Sequence, residues 1–246
     1  TLFEASAEVG GQCNLARRIP GKEEFAETLR YFIVRLERLG VEVVLGRRAG
    51  AEDLAGFDDV LLATGIAPRL PAIPGIDHPK VASYVEVVEG RKVAGAKVAI
   101  VGAGGIGFDV AELLTAGNAP DGRLSDGAQD DPAITAFRDE WGIDAGFAQR
   151  GGLKPAHETP PPRQLWLLQR KDAKVGAGLA KTTGWIRRAL LKRRGVAMLA
   201  GVEYDKIDDA GLHIRVDGVP QLLAVDTIVI CAGQEPRRDL VASLEA

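Results

Sequence analysis

The sequence predicts an α/β fold with a mostly parallel sheet, and three observations support this prediction. The apolar run Val98 to Val101 enters a glycine-rich turn, and apolar residues at helical spacing leave that turn. Other short apolar runs alternate with stretches of helical periodicity on both sides of this segment. The run Thr227 to Cys231 is short and continuously apolar, as in strands buried on both faces.

The first part of the chain predicts three strands and one long helix. Residues 1–4, 41–45 and 59–64 have the apolar character of strands, and Gly65 ends the third. Helical spacing of apolar residues between 20 and 40 predicts a helix that ends at Gly40. The residues expected to face inward are Phe25, Leu29, Phe32, Ile33 and Leu36. Residues 10–12 are expected to form a loop.

The glycine-rich turn has the pattern Gly-x-Gly-x-x-Gly. Gly102 permits a tight turn, Gly104 leaves room for a pyrophosphate, and Gly107 allows close packing of helix and strand. The helix that follows presents free N–H groups and the positive end of its dipole to phosphates. The sequence therefore predicts a Rossmann-like dinucleotide site formed by Gly102, Ala103, Gly104, Gly105, Ile106 and Gly107.

The remaining elements complete the second part of the chain. Residues 117–162 are rich in Gly, Pro, Asp and Ala and are predicted to be an insertion with a short helix at 133–141. Strands are expected at 164–169 and 196–199, with antiparallel strands at 204–216 and 221–225 around an Asp217-Gly218 turn. A helix is expected at 182–194, with Trp185, Ile186, Ala189 and Leu190 facing inward.

The residues at the end of the predicted strand 164–169 indicate which dinucleotide is bound. An acid at this position binds the ribose of NAD, whereas a basic residue binds the 2′-phosphate of NADP. Here Arg170 and Lys171 follow, and residues 163–194 contain ten basic residues against one acid, Asp172. Arg170 and Lys171 are therefore predicted to bind the phosphate of NADP(H). Most of the five basic residues between 187 and 194 are expected to form a solvated helix face instead.

The spacing of this second strand requires the insertion. The tip of the second strand usually lies about 20 residues after the glycine pattern. Arg170 lies more than sixty residues after Gly107, so the assignment holds only if 117–162 is inserted before the strand.

The first part of the chain predicts an FAD-type fold interrupted by the NADP-binding domain. Glu4 comes at the end of a predicted strand, where an acid binds the ribose in such folds. The segments 10–12 and 63–65 contain glycine and lie where an FAD-type fold brings its backbone close to the cofactor. The predicted FAD-binding residues are Glu4, Gly11, Gln12, Ala49, Ala63, Thr64 and Gly65. The predicted domains are 1–67 (partial FAD-binding), 68–237 (NADP-binding) and 238–246 (return to the FAD domain).

The start of the sequence indicates a piece of a longer polypeptide. The chain begins with Thr1 inside an apparent strand, and no first glycine turn for FAD precedes it. The sequence therefore predicts weak retention of FAD or none.

Composition narrows the function classes. The net charge of −3 argues against general nucleic-acid binding, and no apolar stretch is long enough to cross a membrane. Cys13 and Cys231 are far apart in sequence and predict no redox pair, and the three histidines have no metal-ligand spacing. A cytoplasmic protein with no metal site and no catalytic side chain in this segment is expected.

Several segments resemble the C-terminal half of bacterial NADPH-dependent 2,4-dienoyl-CoA reductases. Among them are Trp141-Gly142-Ile143-Asp144, Leu168-Gln169-Arg170-Lys171, Lys181-Thr182-Thr183-Gly184-Trp185 and Cys231-Ala232-Gly233-Gln234. The resemblance covers nearly the whole chain and includes an insertion like that at 117–162. It implies a glutathione reductase-like architecture of two dinucleotide-binding domains, with Lys181 and Gly233 also at the NADP site.

The resemblance also implies a reaction. In such enzymes NADPH reduces FAD, and electrons pass through a 4Fe-4S cluster to FMN, which reduces a dienoyl-CoA of fatty acid β-oxidation. FMN, the cluster and the acyl-CoA site belong to an N-terminal barrel that this chain lacks, so the fragment alone is expected to be inactive. The barrel and NADPH are the expected partners.

Two alternatives stay open at this point. The chain could be the NAD(P)H-binding part of another flavin oxidoreductase, such as an amine dehydrogenase or an NADH:flavin oxidoreductase. It could also be a non-catalytic nucleotide-binding module.

Overall fold

The protein is described here from a computed structural model that covers residues 1–116, 132–157 and 160–244. The chain divides into two compact units. Unit 1 comprises Thr1–Arg69 and Gly233–Ala246, and unit 2 comprises Leu70–Ala232. The sequence predicts domain boundaries at 67/68 and 237/238, with FAD in the outer domain and NADP in the inner one. This assignment of the cofactors stays a prediction. Residues 117–131 and 158–159 of the expected insertion, and 245–246 at the return to the first domain, lie outside the described residues.

The first part of unit 1 contains three short strands and three helices, and two of the strands form a small parallel sheet. These are β1 (Leu2–Glu4), α1 (Gln12–Ala16), α2 (Phe25–Arg38), β2 (Val43–Leu45), α3 (Ala51–Leu54) and β3 (Ile66–Pro68). β1 pairs in parallel with β2, and β3 pairs antiparallel with the strand Gln234–Pro236 near the end of the chain. Both ends of the interrupted unit therefore meet in one two-stranded sheet.

Unit 2 holds the main sheet. Its elements are β4 (Val81–Ser83), α4 (Tyr84–Val88), β5 (Lys97–Val101), α5 (Gly105–Thr115), α6 (Pro132–Trp141), β6 (Gln164–Leu168), α7 (Gly184–Arg193), β7 (Ala197–Leu199), β8 (Val202–Asp208), β9 (Gly211–Val216), β10 (Val219–Leu223) and β11 (Thr227–Ile230). The strand Gln234–Pro236 is β12, and α8 (Val241–Leu244) follows it. Five strands form a parallel sheet in the order β4-β11-β5-β6-β7.

The core of unit 2 lies on both faces of this parallel sheet. On one face, Val101, Leu168 and Ile230 pack against Leu212 and Ile214 of the antiparallel sheet β8–β9–β10. Residues of opposite phase, such as Ile100 and Leu167, are also fully buried, as is Phe108 of α5. Burial on both faces explains why β5, β6 and β11 are continuously apolar in sequence. The predicted α/β fold with a mostly parallel sheet is confirmed.

Two helices differ from the expectation in their start and in their buried face. α2 begins at Phe25 rather than at 20, and Phe32 and Ile33 are exposed, whereas Leu29 is buried. α7 begins at Gly184 rather than at 182, and Trp185 and Ile186 are exposed, whereas Leu191 is fully buried. Arg187 lies one helical turn before Leu191, and its guanidinium forms ion pairs with acidic side chains of α5.

Residues 59–64 form no strand, so that prediction was wrong. The backbone there pairs with no neighbouring strand of the described chain, and Leu61 is 95% exposed. An apolar run becomes a strand only where another strand accepts its hydrogen bonds.

Three further expectations need correction. The strand expected at 204–216 is two strands, β8 and β9, because the Asp208 carboxylate accepts the N–H of Ala210 and closes a turn. Gln12 begins α1 instead of lying in a loop. The short strands β3, β4 and β12 were not predicted. The Asp217-Gly218 hairpin turn was predicted correctly, and both residues have positive φ.

Candidate functional site

The predicted NADP-binding residues of unit 2 come from the carboxyl ends of adjacent parallel strands. Val101 of β5 is in register with Leu168 of β6, and the N–H of Gly102 donates to the carbonyl of Leu168 over 2.9 Å. The glycine turn after β5 and the cationic segment after β6 therefore lie at one edge of the sheet. Ligands of open α/β sheets bind at this edge.

The glycines of the turn have different surroundings. Gly102 has φ +111°, and a Cβ there would lie 2.3 Å from the carbonyl oxygen of Cys231. A Cβ on Gly107 would lie 1.9 Å from the carbonyl oxygen of Gly102. A Cβ on Gly104 or Gly105 would meet nothing within 4 Å. The turn thus packs tightly on the protein side and leaves open space at its middle.

The helix α5 begins at this open space. Gly104 is its N-cap, and no side chain accepts a hydrogen bond from its first turn. Eleven residues of helix direct the positive end of the dipole toward the opening. The open backbone and the uncapped helix fit a dinucleotide pyrophosphate. Ala103 and Ile106 belong to the same segment, and their contact with a nucleotide stays a prediction.

The cationic residues after β6 are exposed. Arg170 and Lys171, together with Lys181 before α7, form no ion pair with any described residue. Arg170 lies near Tyr204 of β8: burial raises the pKa of the Tyr204 phenol, and the charge of Arg170 opposes that rise. The free cations fit a phosphate ligand, which supplies the missing counter-charge.

Most of the five basic residues between 187 and 194 form hydrogen bonds or ion pairs within the protein. The expectation that they form a solvated helix face was therefore wrong. Arg188 donates to the carbonyl of Gly176, and Arg193 donates to the carbonyl of Glu140 and stacks over Trp141. Arg194 forms an ion pair with Glu140. These arginines fasten α7 to its neighbours, and Lys192 alone of the five is both exposed and without an ion pair among the described residues.

Arg187 joins α7 to the glycine-turn helix. Its guanidinium forms ion pairs with Asp109 and with Glu112, the latter at 2.6 Å, and lies over the Phe108 ring. Burial alone lowers the pKa of this guanidinium, but the two carboxylates outweigh that effect and raise its pKa. Sequence reasoning missed this cluster, although acids three residues apart on an apolar helix were a usable signal.

The two cysteines are free thiols in different units. Cys13 lies in α1 of unit 1 and is half-buried, and Cys231 directly follows β11 in unit 2. Burial, with a smaller contribution from Asp109, strongly raises the pKa of the Cys231 thiol. Cys231 is a core residue, as the apolar run Thr227 to Cys231 predicts.

The predicted FAD residues are spread over unit 1. The Glu4 carboxylate accepts the N–H of Ser6 over 2.8 Å, and the Thr64 hydroxyl donates to the carbonyl of Arg237 over 2.6 Å. Gln12 accepts a bond of 3.4 Å from Gln234. Added Cβ atoms on Gly11 and Gly65 would meet nothing within 4 Å, Ala49 is half-buried, and Ala63 is exposed.

Unit 1 fits FAD less completely than unit 2 fits a dinucleotide. Open backbone and one acid are present, but the helix after Gly11 has only five residues. Gly233, expected at the NADP site, belongs to unit 1, where its carbonyl accepts the N–H of Arg69.

The described residues show neither a metal cluster nor a membrane-spanning helix. No group of three His, Cys, Asp or Glu side chains in that part of the chain could hold a metal ion. None of its helices has the length and apolar character needed to cross a membrane.

Comparison with known proteins identifies the family. Residues 2–246 match the pyridine nucleotide-disulphide oxidoreductase family. The chain belongs to this family. Membership implies binding of FAD and of NAD(P)H, and it does not distinguish NAD from NADP.

Similar proteins are oxidoreductases of greater length. A metal reductase of Desulforamulus reducens is 27% identical over 253 residues, which is 100% of this chain and 35% of the reductase. A cinnamate reductase of Clostridium sporogenes is 36% identical over 121 residues, or 46% of this chain and 17% of that enzyme. The chain thus spans about a third or less of these relatives.

Solved structures share the fold. A 2-naphthoyl-CoA reductase superposes with a TM-score of 0.72 at 20% identity, over 98% of this chain and 30% of that chain. A histamine dehydrogenase from Rhizobium sp. 4-9 superposes with a TM-score of 0.68 at 16% identity, over 99% of this chain and 33% of that chain.

Proposed function

We propose that this chain is the NADPH- and FAD-binding part of a flavin-dependent reductase, and that unit 2 selects NADPH. The single observation that supports this most is the pair Arg170 and Lys171, exposed and unpaired among the described residues, beside the open glycine turn. An acid that would bind the ribose of NAD is absent from the end of β6.

The residues of unit 2 have distinct tasks in this proposal. The backbone from Gly102 to Gly107 and the amino end of α5 hold the pyrophosphate, and Arg170 and Lys171 hold the 2′-phosphate. Lys181 adds positive charge. NADPH supplies a hydride to FAD, and the protein orients both cofactors. We assign the flavin to Glu4, Gly11, Gln12, Ala49, Ala63, Thr64 and Gly65 of unit 1.

The proposed substrate of the whole enzyme is a 2,4-dienoyl-CoA, reduced at a barrel that holds FMN and a 4Fe-4S cluster. The resemblance of residues 141–144 and 181–185 to dienoyl-CoA reductases supports this choice. The similarity to a cinnamate reductase is compatible with a conjugated substrate. The proposed location is the cytoplasm.

A second candidate is the corresponding part of an amine dehydrogenase or an NADH-dependent flavin oxidase. A relative over 89 residues is an N,N-dimethylglycine/sarcosine dehydrogenase of Chromohalobacter salexigens, at 39% identity, and another relative is an NADH oxidase of Thermoanaerobacter brockii. Arg170 and Lys171 after β6 favour an NADPH-dependent reductase over an amine dehydrogenase or an NADH-dependent oxidase.

Binding titrations of the 246-residue chain with NADPH and NADH test the nucleotide. We expect NADPH to bind more tightly, and Arg170→Ala or Lys171→Ala to weaken its binding by roughly 1–3 kcal/mol each, because a charge-assisted bond to phosphate is lost. The control is Lys192→Ala, an exposed lysine of α7, which we expect to leave the affinity unchanged. Equal affinities for the two nucleotides would contradict the proposal.

The substrate is tested with the full-length protein. We expect NADPH to drive reduction of a 2,4-dienoyl-CoA, followed as loss of the absorbance of the conjugated thioester. Oxidation of a secondary or tertiary amine, with no reduction of the dienoyl-CoA, would favour the amine dehydrogenase instead.

A further inference from the structure

We propose that Gln169 is a positioning residue that makes unit 2 selective for NADP(H). Its side chain fixes the backbone from which Arg170 and Lys171 project. This inference rests on the proposed NADPH site and adds a residue that acts on the nucleotide only through its neighbours.

The side chain of Gln169 turns back into the segment that follows it. Its amide nitrogen donates to the carbonyl of Lys171 over 3.0 Å and to the carbonyl of Ala173 over 2.7 Å. Both partners are acceptors only, so the amide nitrogen, and not the amide oxygen, must face them. One side chain thereby ties together residues 169–173.

The carbonyl of Lys171 is the centre of this arrangement. Besides the Gln169 amide, it accepts the N–H of Ala173 over 3.0 Å and the N–H of Gly201 over 3.1 Å. The main chain of Gln169 adds two more bonds, from its N–H to Leu199 and from the N–H of Val202 to its carbonyl. The backbone on either side of Arg170 is therefore held by residues 199–202, where β7 ends and β8 begins.

This bracing matters because the cations have no partner of their own among the described residues. A flexible segment would lose conformational entropy on binding a phosphate, and a braced one loses less. The bracing also depends on an amide. A carboxylate cannot donate a hydrogen bond, so an acid at 169, as suits NAD, would leave both carbonyls without this donor.

The test is Gln169→Met in the 246-residue chain, which keeps the length of the side chain and removes its donors. Binding of NADPH and NADH is measured by titration, and folding is checked by thermal unfolding. We expect the Kd for NADPH to rise roughly tenfold and that for NADH to change less than about threefold. Gln164→Met is the control, an exposed glutamine at the other end of β6 whose side chain bonds no described residue.

A double variant tests that Gln169 acts through the cations. In a chain that carries Arg170→Ala and Lys171→Ala, we expect Gln169→Met to change the Kd for NADPH less than about threefold. Gln169→Glu provides a second, separate variant with no donor, and we expect it to lower the preference for NADPH as well.

The outcomes separate this inference from the proposed function. If the unchanged chain prefers NADPH but Gln169→Met and Gln169→Glu keep that preference, or weaken both nucleotides equally, the inference is overturned and the proposed function stands. If the unchanged chain does not prefer NADPH, the proposed function fails and the inference fails with it.

Discussion

Three glycines of the turn after β5 meet three different surroundings. Gly102 faces the carbonyl of Cys231, Gly107 faces the carbonyl of Gly102, and Gly104 faces open space. Gly102 and Gly107 are therefore required by packing. At Gly104 no atom of the described residues lies within 4 Å of an added Cβ, which leaves space for the proposed nucleotide to approach the backbone.

The paired variants Gly104→Ala and Gly107→Ala test this difference. Gly104 has φ −81°, which alanine tolerates, so we expect the free energy of unfolding to fall by less than about 1 kcal/mol. We expect Gly104→Ala to lower the affinity for NADPH strongly, because the new methyl group occupies the space expected for the pyrophosphate.

Gly107→Ala should show the opposite pattern. Its Cβ would overlap a backbone oxygen, and we expect a loss of about 1–3 kcal/mol of unfolding free energy. Chemical denaturation and NADPH titration of both variants check this. Equal loss of stability in the two variants would remove the argument for an open phosphate site.

At the scale of elements, α5 and α7 are joined by a partly buried ion cluster. The side chain of Arg187 is 20% exposed, and those of Asp109 and Glu112 are 17% and 11% exposed. Arg187 is the cation shared by both carboxylates, so its removal takes this counter-charge from two partly buried acids at once.

We predict that Arg187→Met lowers the free energy of unfolding by about 3 kcal/mol, because two partly buried carboxylates lose their counter-charge. The matched control is Arg215→Met, which breaks an exposed pair with Asp205 and should cost less than about 1 kcal/mol. Urea denaturation measures both. Similar effects for the two variants would show that the cluster adds no more than a surface pair.

The elements also show how far the sequence predicts the structure. Glycine spacing and continuous apolar runs predicted β5, α5, β6 and β11, because backbone conformation and burial on both faces leave a direct pattern. The same patterns gave α7 the wrong buried face, because the face that packs inward carries Arg187, with its ion pairs to α5, as well as the apolar Leu191. The hydrogen bonds of the Gln169 side chain could not be predicted from the sequence, because they depend on the path of a loop that has no periodicity.

At the scale of the whole molecule, the two units differ in how well they fit the cofactors proposed for them. Unit 2 has a five-stranded parallel sheet, an eleven-residue helix at the glycine turn and free cations. In the described part of unit 1 the sheets have two strands each, and the helix after Gly11 has five residues. The family as a whole binds both cofactors.

We therefore predict that the 246-residue chain binds NADPH but retains little FAD, because unit 1 offers few groups for the flavin pyrophosphate. Purification in the presence of FAD, followed by desalting and measurement of flavin absorbance per chain, checks this. A yellow protein with one flavin per chain would contradict the prediction and leave the NADPH site untouched.

We propose that the cationic segment after β6 and the glycine turn after β5 hold one NADP molecule. Crystals of the chain grown with NADP⁺ would show where the nucleotide binds. We expect the pyrophosphate at the amino end of α5 and the 2′-phosphate against Arg170 and Lys171. An empty glycine turn, or a 2′-phosphate bound away from these two residues, would contradict it.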